Sequence, residues 1–98
     1  MIDKALERVR KNFDKGVTKP YSYRMSQLSK LKSGMERMKK ELSQALTNDL
    51  AKDDFVNWMY EIQAVDREID HAMQHLKGWM KDECVDTPLF LGPGKSYI

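Results

Sequence analysis

Two long apolar stripes, separated by a link too short for anything but a reversal, constrain this chain more than any other feature. The first runs through Tyr21, Met25, Leu28, Leu31, Met35, Met38, Leu42 and Ala45. The second runs through Phe55, Trp58, Met59, Ile62, Val65, Ile69, Ala72, Met73, Leu76, Trp79 and Met80. Recurrence at three and four residues puts each set on one face of an α-helix. From Leu28 onward the first stripe alternates these steps like a heptad seam, with Gly34 set inside it. That helix is expected to open near Thr18-Lys19-Pro20, where Thr18 can cap free amides and proline fits the first turn. It should finish around Thr47-Asn48. The next helix should begin after Lys52-Asp53-Asp54, with either aspartate as cap. Two amphipathic helices on a short link predict an antiparallel hairpin.

A shorter helix precedes the hairpin. Ile2, Ala5, Leu6, Val9 and Phe13 share a face, and Lys4, Glu7, Arg8, Arg10 and Lys11 fill the remainder. Gly16 follows the last apolar residue, where helices commonly end in a left-handed conformation. After Met80 the periodicity stops. Thr87-Pro88 and Gly92-Pro93-Gly94 are turn signals, while Leu89-Phe90-Leu91 and Ser96-Tyr97-Ile98 read as short edge strands. The chain reads as cut inside a strand. The expected fold class is mainly α: an N-terminal helix, a long antiparallel hairpin and an extended tail. Residues 1–80 form the helical region and residues 81–98 a linker.

The 98 residues suffice for one small domain. Positive and negative side chains are interleaved and the formal net charge is +2. No concentrated basic face of the kind nucleic acid requires is present. No apolar run reaches membrane-spanning length, the start has no apolar signal core, and the single cysteine suits a reducing compartment. The expectation is a cytoplasmic chain with neither a nucleic-acid partner nor a membrane segment.

Candidate chemical groups are few. Cys84 lies in Lys81-Asp82-Glu83-Cys84-Val85-Asp86, and flanking acids disfavour a thiolate. It reads as an ordinary free thiol. His71 and His75, four apart, share a helix face but have no third ligand at metal spacing, so a solvated face is expected. Glu61, Glu68 and Asp70 read as acids opposite an apolar stripe, solvated or paired with neighbours such as Arg67. Met25, Met35, Met38, Met59, Met73 and Met80 are expected to fill gaps in the core. Trp58 and Trp79 read as anchors against further domains.

Taken in order, the strings form a larger pattern. Phe13-x-x-Gly16-x-Thr18-Lys19-Pro20, Tyr23-Arg24-x-x-Gln27-Leu28-x-x-Leu31 and Ala45-Leu46-x-x-Asp49-Leu50-x-Lys52 come first. Phe55-x-x-Trp58-x-x-Glu61-Ile62, Glu68-Ile69-Asp70, Leu76-x-x-Trp79, Thr87-Pro88 and Ser96-Tyr97-Ile98 follow. Their sum resembles the start of a class 3, or fatty-aldehyde type, aldehyde dehydrogenase. The resemblance implies a piece of a larger α/β fold with a Rossmann-like cofactor domain, a catalytic domain and an oligomerisation segment. It also implies NAD or NADP as coenzyme and an aldehyde as substrate. The family's mechanism uses a cysteine thiolate in a Gly-Gln-x-Cys context, an oxyanion-stabilising asparagine and a glutamate base. The resemblance places all of these, and the glycine-bearing cofactor loop, beyond residue 98. No catalytic, cofactor-binding or metal-binding residue is therefore expected here. By position in the pattern, Tyr60 and Ala64, one turn apart, are expected at the wall of the substrate tunnel. Ala64 departs from the bulkier residue typical of the family.

Two functions compete. The first is an N-terminal piece of an NAD(P)-dependent aldehyde dehydrogenase, partnered by the rest of that fold or its dimer and inactive alone. The second is a non-catalytic helical-hairpin interaction module. Gly34 inside the short seam and the Gly92–Ile98 tail argue against the second. The first predicts exposed apolar patches and self-association.

Overall fold

A computed structural model describes residues 1–98. Helix α1 spans Ile2–Asp14, α2 Tyr21–Arg37 and α3 Lys39–Leu50. A single turn, α4, covers Asp54–Val56. It runs through a π-helical segment at Asn57–Ile62 into α5, Gln63–Trp79. The strands β1 (Cys84–Val85) and β2 (Ser96–Tyr97) pair antiparallel, Cys84 opposite Tyr97 and Val85 opposite Ser96. Glu83 and Ile98 extend this ribbon by exchanging backbone bonds of 2.9 and 2.8 Å.

The hairpin forms between the two stripes, although Tyr21, Leu31, Phe55, Val65 and Trp79, which the periodicity assigned to them, are exposed. Helix α2 packs along α5, and α3 packs against the π segment. The buried hydrophobic residues are Ile62 and Ile69, joined by one buried polar residue, Asn57. Lys32 of α2 donates to the Asp70 carboxylate of α5 across the seam. Gly16 ends α1 with φ of +72°, in the left-handed region glycine tolerates. Asp53 caps the hairpin's second arm, its side chain accepting from the Val56 N–H at 2.8 Å.

Elsewhere the structure departs from expectation. The first arm is not one helix, because it breaks at Met38, whose backbone has φ −97° and ψ 7°. Downstream of the break the half-buried positions are Lys39, Leu42, Ser43, Leu46 and Thr47, while Met38 and Ala45 face outward. Met38 is therefore not core filling, and Met59, exposed in the π segment, is not either. Thr18 does not cap α2 with its side chain; its carbonyl instead accepts from Arg24 Nε at 2.9 Å, and Pro20 occupies the cap position. Leu89–Leu91 forms a 3₁₀ turn rather than an edge strand, since Leu91 N–H bonds back to Pro88 O at 2.9 Å.

The molecule is elongated, 62 × 35 × 24 Å. Its radius of gyration is 20.1 Å, where about 13 Å is usual for a compact domain of this length. The accessible surface is 8566 Å², against roughly 5800 Å² for a compact monomer of this mass. Helix α1 buries no residue and leaves Ile2, Leu6, Val9 and Phe13 open.

Candidate functional site

The best-organised polar cluster lies where the hairpin reverses. Ala51 turns the chain with φ of 53°, an unusual left-handed conformation for a residue bearing a Cβ. Thr47 Oγ1 then donates to Lys52 O at 2.7 Å, and Ser43 Oγ donates to Asp54 Oδ1 at 2.8 Å. Lys52 Nζ reaches Glu61 Oε1 at 2.6 Å. With both hydroxyl protons committed, the hydroxyl lone pairs face Asn57. The Asn57 amide Nδ2 donates to Ser43 O at 3.0 Å, Ser43 Oγ at 3.2 Å and Thr47 Oγ1 at 3.0 Å.

Asn57 is wholly inaccessible, 0% exposed, and its Oδ1 has no hydrogen-bond partner. An orphaned buried acceptor costs about 1–3 kcal/mol. Such features concentrate at strained or functional places. The π segment explains how the residue arrives there. Gln63 N–H bonds to Trp58 O, five residues back, instead of four. Asn57 and Ile62, five apart, therefore both point into the seam. An unbroken α-helix would have sent Trp58 inward, four residues before Ile62. Instead Trp58 and Met59 are 39% and 43% exposed.

Tyr60 stands on the outer side of this segment and is 67% exposed. Ala64, in the first turn of α5, is exposed too. A cleft of about 490 Å³ opens on the α3 side, lined by Arg37, Lys39, Ser43, Gln44, Asp54 and Trp58 among others. Neither Tyr60 nor Ala64 lines it.

The remaining candidates are scattered. Cys84 is exposed within β1. The rings of His71 and His75 lie 4.2 Å apart, and His75 stacks on Trp79 at 5.9 Å. His75 Nδ1 sits 2.8 Å from His71 O. No group of three His, Cys, Asp or Glu side chains converges at metal-binding distance. Glu61 and Asp70 are paired with Lys52 and Lys32 rather than Arg67. The Asp70 bond is the leading cause holding the Lys32 ammonium above its ordinary value; desolvation opposes it, and the charges of Asp70 and Asp66 add to it.

No family model matches the chain. Individual relatives do. Aldehyde dehydrogenase family 3 member B3 of Mus musculus is 35% identical over 97 residues, 99% of this chain and 20% of the relative. The 4,4'-diaponeurosporen-aldehyde dehydrogenase of Staphylococcus aureus is 38% identical over 86 residues, 88% of this chain and 19% of the relative. The dimeric NADP-preferring aldehyde dehydrogenase of Canis lupus familiaris is 34% identical over 88 residues, 89% of this chain and 19% of the relative. The chain is homologous to the N-terminal fifth of the class 3 aldehyde dehydrogenases. It spans about a fifth of the length of the curated relatives it matches.

The stretch matched by the mouse relative takes in nearly every element, from α1 to the β1–β2 ribbon. Sequence reasoning missed the Asn57 cluster. A usable signal was present, since Ser43, Thr47 and Asn57 are short polar residues flanking the turn between two apolar stripes.

Proposed function

We propose that this chain is the N-terminal helical region of an NAD- or NADP-dependent aldehyde dehydrogenase that oxidises aldehydes to carboxylic acids. Residues 1–80 cover the cofactor domain, and residues 81–98 lead towards its core. The segment supplies no catalytic or coenzyme-binding group. Tyr60 and Ala64 contribute to the wall of the aldehyde's path. The whole acts in the cytoplasm, with the rest of the dehydrogenase fold or its dimer as partner.

The observation that carries this reading is surface. The chain exposes 8566 Å², roughly half as much again as a compact monomer of its mass would. Much of the apolar share lies on α1 and the Leu89–Leu91 turn, with Leu89 98% exposed. A sharply two-sided helix that buries nothing is built to lean on another surface. Homology over 99% of the chain to one fifth of an aldehyde dehydrogenase supports reading that surface as the rest of the dehydrogenase fold.

Purified 98-residue chain should self-associate in sedimentation and should not reduce NAD or NADP when given an aliphatic aldehyde. Aldehyde-dependent NADH formation by this chain would overturn the assignment, and a monodisperse monomer at high concentration would remove its main support. In the full-length dehydrogenase, Tyr60→Ala should alter the preference among aldehyde chain lengths. An unchanged preference would remove the tunnel-wall role.

A further inference from the structure

We propose that Asn57 is a positioning residue: its buried amide holds the π segment open and so decides which side of this helix Tyr60 occupies. The inference rests on the tunnel-wall reading of Tyr60 and Ala64, and adds the group that orients them.

Three observations meet at Asn57. Its side chain is the most enclosed in the molecule, at 0% exposure. Its Nδ2 reaches across the hairpin to three acceptors on α3, at 3.0, 3.2 and 3.0 Å. Its backbone starts the six-residue π segment, Asn57–Ile62. The connection is geometric. Ile62 and Ile69, seven apart, set the seam phase of α5. Counting back from Ile62 by an ordinary α turn reaches Trp58. To put Asn57 there instead, the helix must take one additional residue into the turn, which is what the Gln63 N–H to Trp58 O bond records. Adding one residue rotates everything upstream by about 100° relative to α5. Tyr60 lies within the segment, so its direction relative to Ala64 depends on that addition. Packing alone does not explain the choice, because an apolar side chain would leave no orphaned oxygen, whereas Asn57 Oδ1 has no partner.

Without the amide, the segment relaxes to α-helix and Trp58 swings into the vacated seam. Asn57→Ala in the 98-residue chain, with Trp79→Phe so that Trp58 is the sole indole, should blue-shift the Trp58 emission and protect it from acrylamide, with helical circular dichroism retained. Thr47→Val, which removes an acceptor from the opposite helix, should move the emission the same way and carries the test if Asn57→Ala fails to fold. In the full-length dehydrogenase, both variants should shift the ratio of kcat/KM between a short and a long aldehyde by about tenfold, the scale of a methylene-sized change in an apolar pocket. Overall thermal stability should not predict that ratio.

Emission unchanged in the folded variants would overturn the proposal. So would a moved emission with an unchanged ratio, provided that Tyr60→Ala changes the ratio. If Tyr60→Ala leaves the ratio unchanged, the tunnel-wall reading fails on its own, and the emission alone then decides whether Asn57 holds the π segment.

Discussion

Helices α1 and α5 are both sharply two-sided, yet one buries nothing and the other buries Ile69 and continues the π segment that buries Asn57 and Ile62. Ile69 of α5 is 5% exposed, while Ile2 of α1 is 83% exposed. The difference is not amphipathicity, which α1 shows at least as cleanly: Ile2, Leu6, Val9 and Phe13 keep strict four-three-four spacing. It lies in what the chain supplies nearby. A short turn brings α2 and α3 back along the π segment and α5. Every residue of α1 is left exposed. A stripe thus encodes a face, and only connectivity decides whether the same chain provides the surface to cover it.

The hardest way to break that contrast is to attack the seam. Ile69→Ala, and Ile62→Ala at 3% exposure, should each destabilise the hairpin by about 2–5 kcal/mol, the range for deleting a buried branched side chain. Urea unfolding followed by circular dichroism would measure it. A loss under about 1 kcal/mol would mean that the site collapses freely and that the hairpin is no better packed than α1.

Much of the hairpin was legible beforehand. The two stripes, the left-handed Gly16 and the Asp53 cap all follow from local rules, because periodicity and capping act within a turn or two of chain. The break at Met38 was not legible: the stripe runs on through Leu42 and Ala45 with no proline, and Gly34 lies a full turn upstream. The π segment was equally hidden. A 3.6-residue template fits Trp58 and Met59 to the seam, and only the cross-hairpin bonds to Ser43 and Thr47 show why Asn57 takes that place. The β1–β2 pairing joins residues eleven or more apart through backbone groups, which side-chain patterns do not report. For Tyr60 and Ala64, position in a family pattern was the only signal, because neither residue belongs to a local motif with chemistry of its own.

A gentler probe sharpens the contrast from the turn. Ala51 adopts φ of 53°, a conformation that costs an L-residue roughly 1–2 kcal/mol. Ala51→Gly should recover about 0.5–1 kcal/mol after glycine's greater loss of freedom. The thermal midpoint of the hairpin should rise, because this turn is what brings the two arms together. Unchanged melting would show that the turn is already frayed in solution.

Substitution on α1 should do the reverse. Leu6→Ser with Phe13→Ser removes apolar surface from a face that covers nothing, with Phe13 63% exposed. Hairpin unfolding should move by no more than about 0.5 kcal/mol, as for surface positions in general. Self-association in sedimentation should fall. A large loss of hairpin stability would place α1 against the hairpin after all.

The smallest effect is expected from the ion pair that crosses the seam. Lys32 and Asp70 are joined across α2 and α5, but their side chains are 45% and 46% exposed, so solvent and salt screen the attraction. The Lys32 ammonium is held above its ordinary value first by the Asp70 bond, with the charges of Asp70 and Asp66 adding to it against desolvation. A lysine whose folded value is raised contributes its stability fully below the unfolded-state value, and loses it as pH climbs through the folded one. The contribution should therefore be flat across neutral pH and fade only in strongly alkaline solution. Lys32→Met should remove that alkaline dependence, with a small change in midpoint that shrinks further as salt is added. If the variant instead melted far lower at every salt concentration, the seam would depend on charge rather than on Ile62 and Ile69. The contrast between a packed α5 and a bare α1 would then need a different cause.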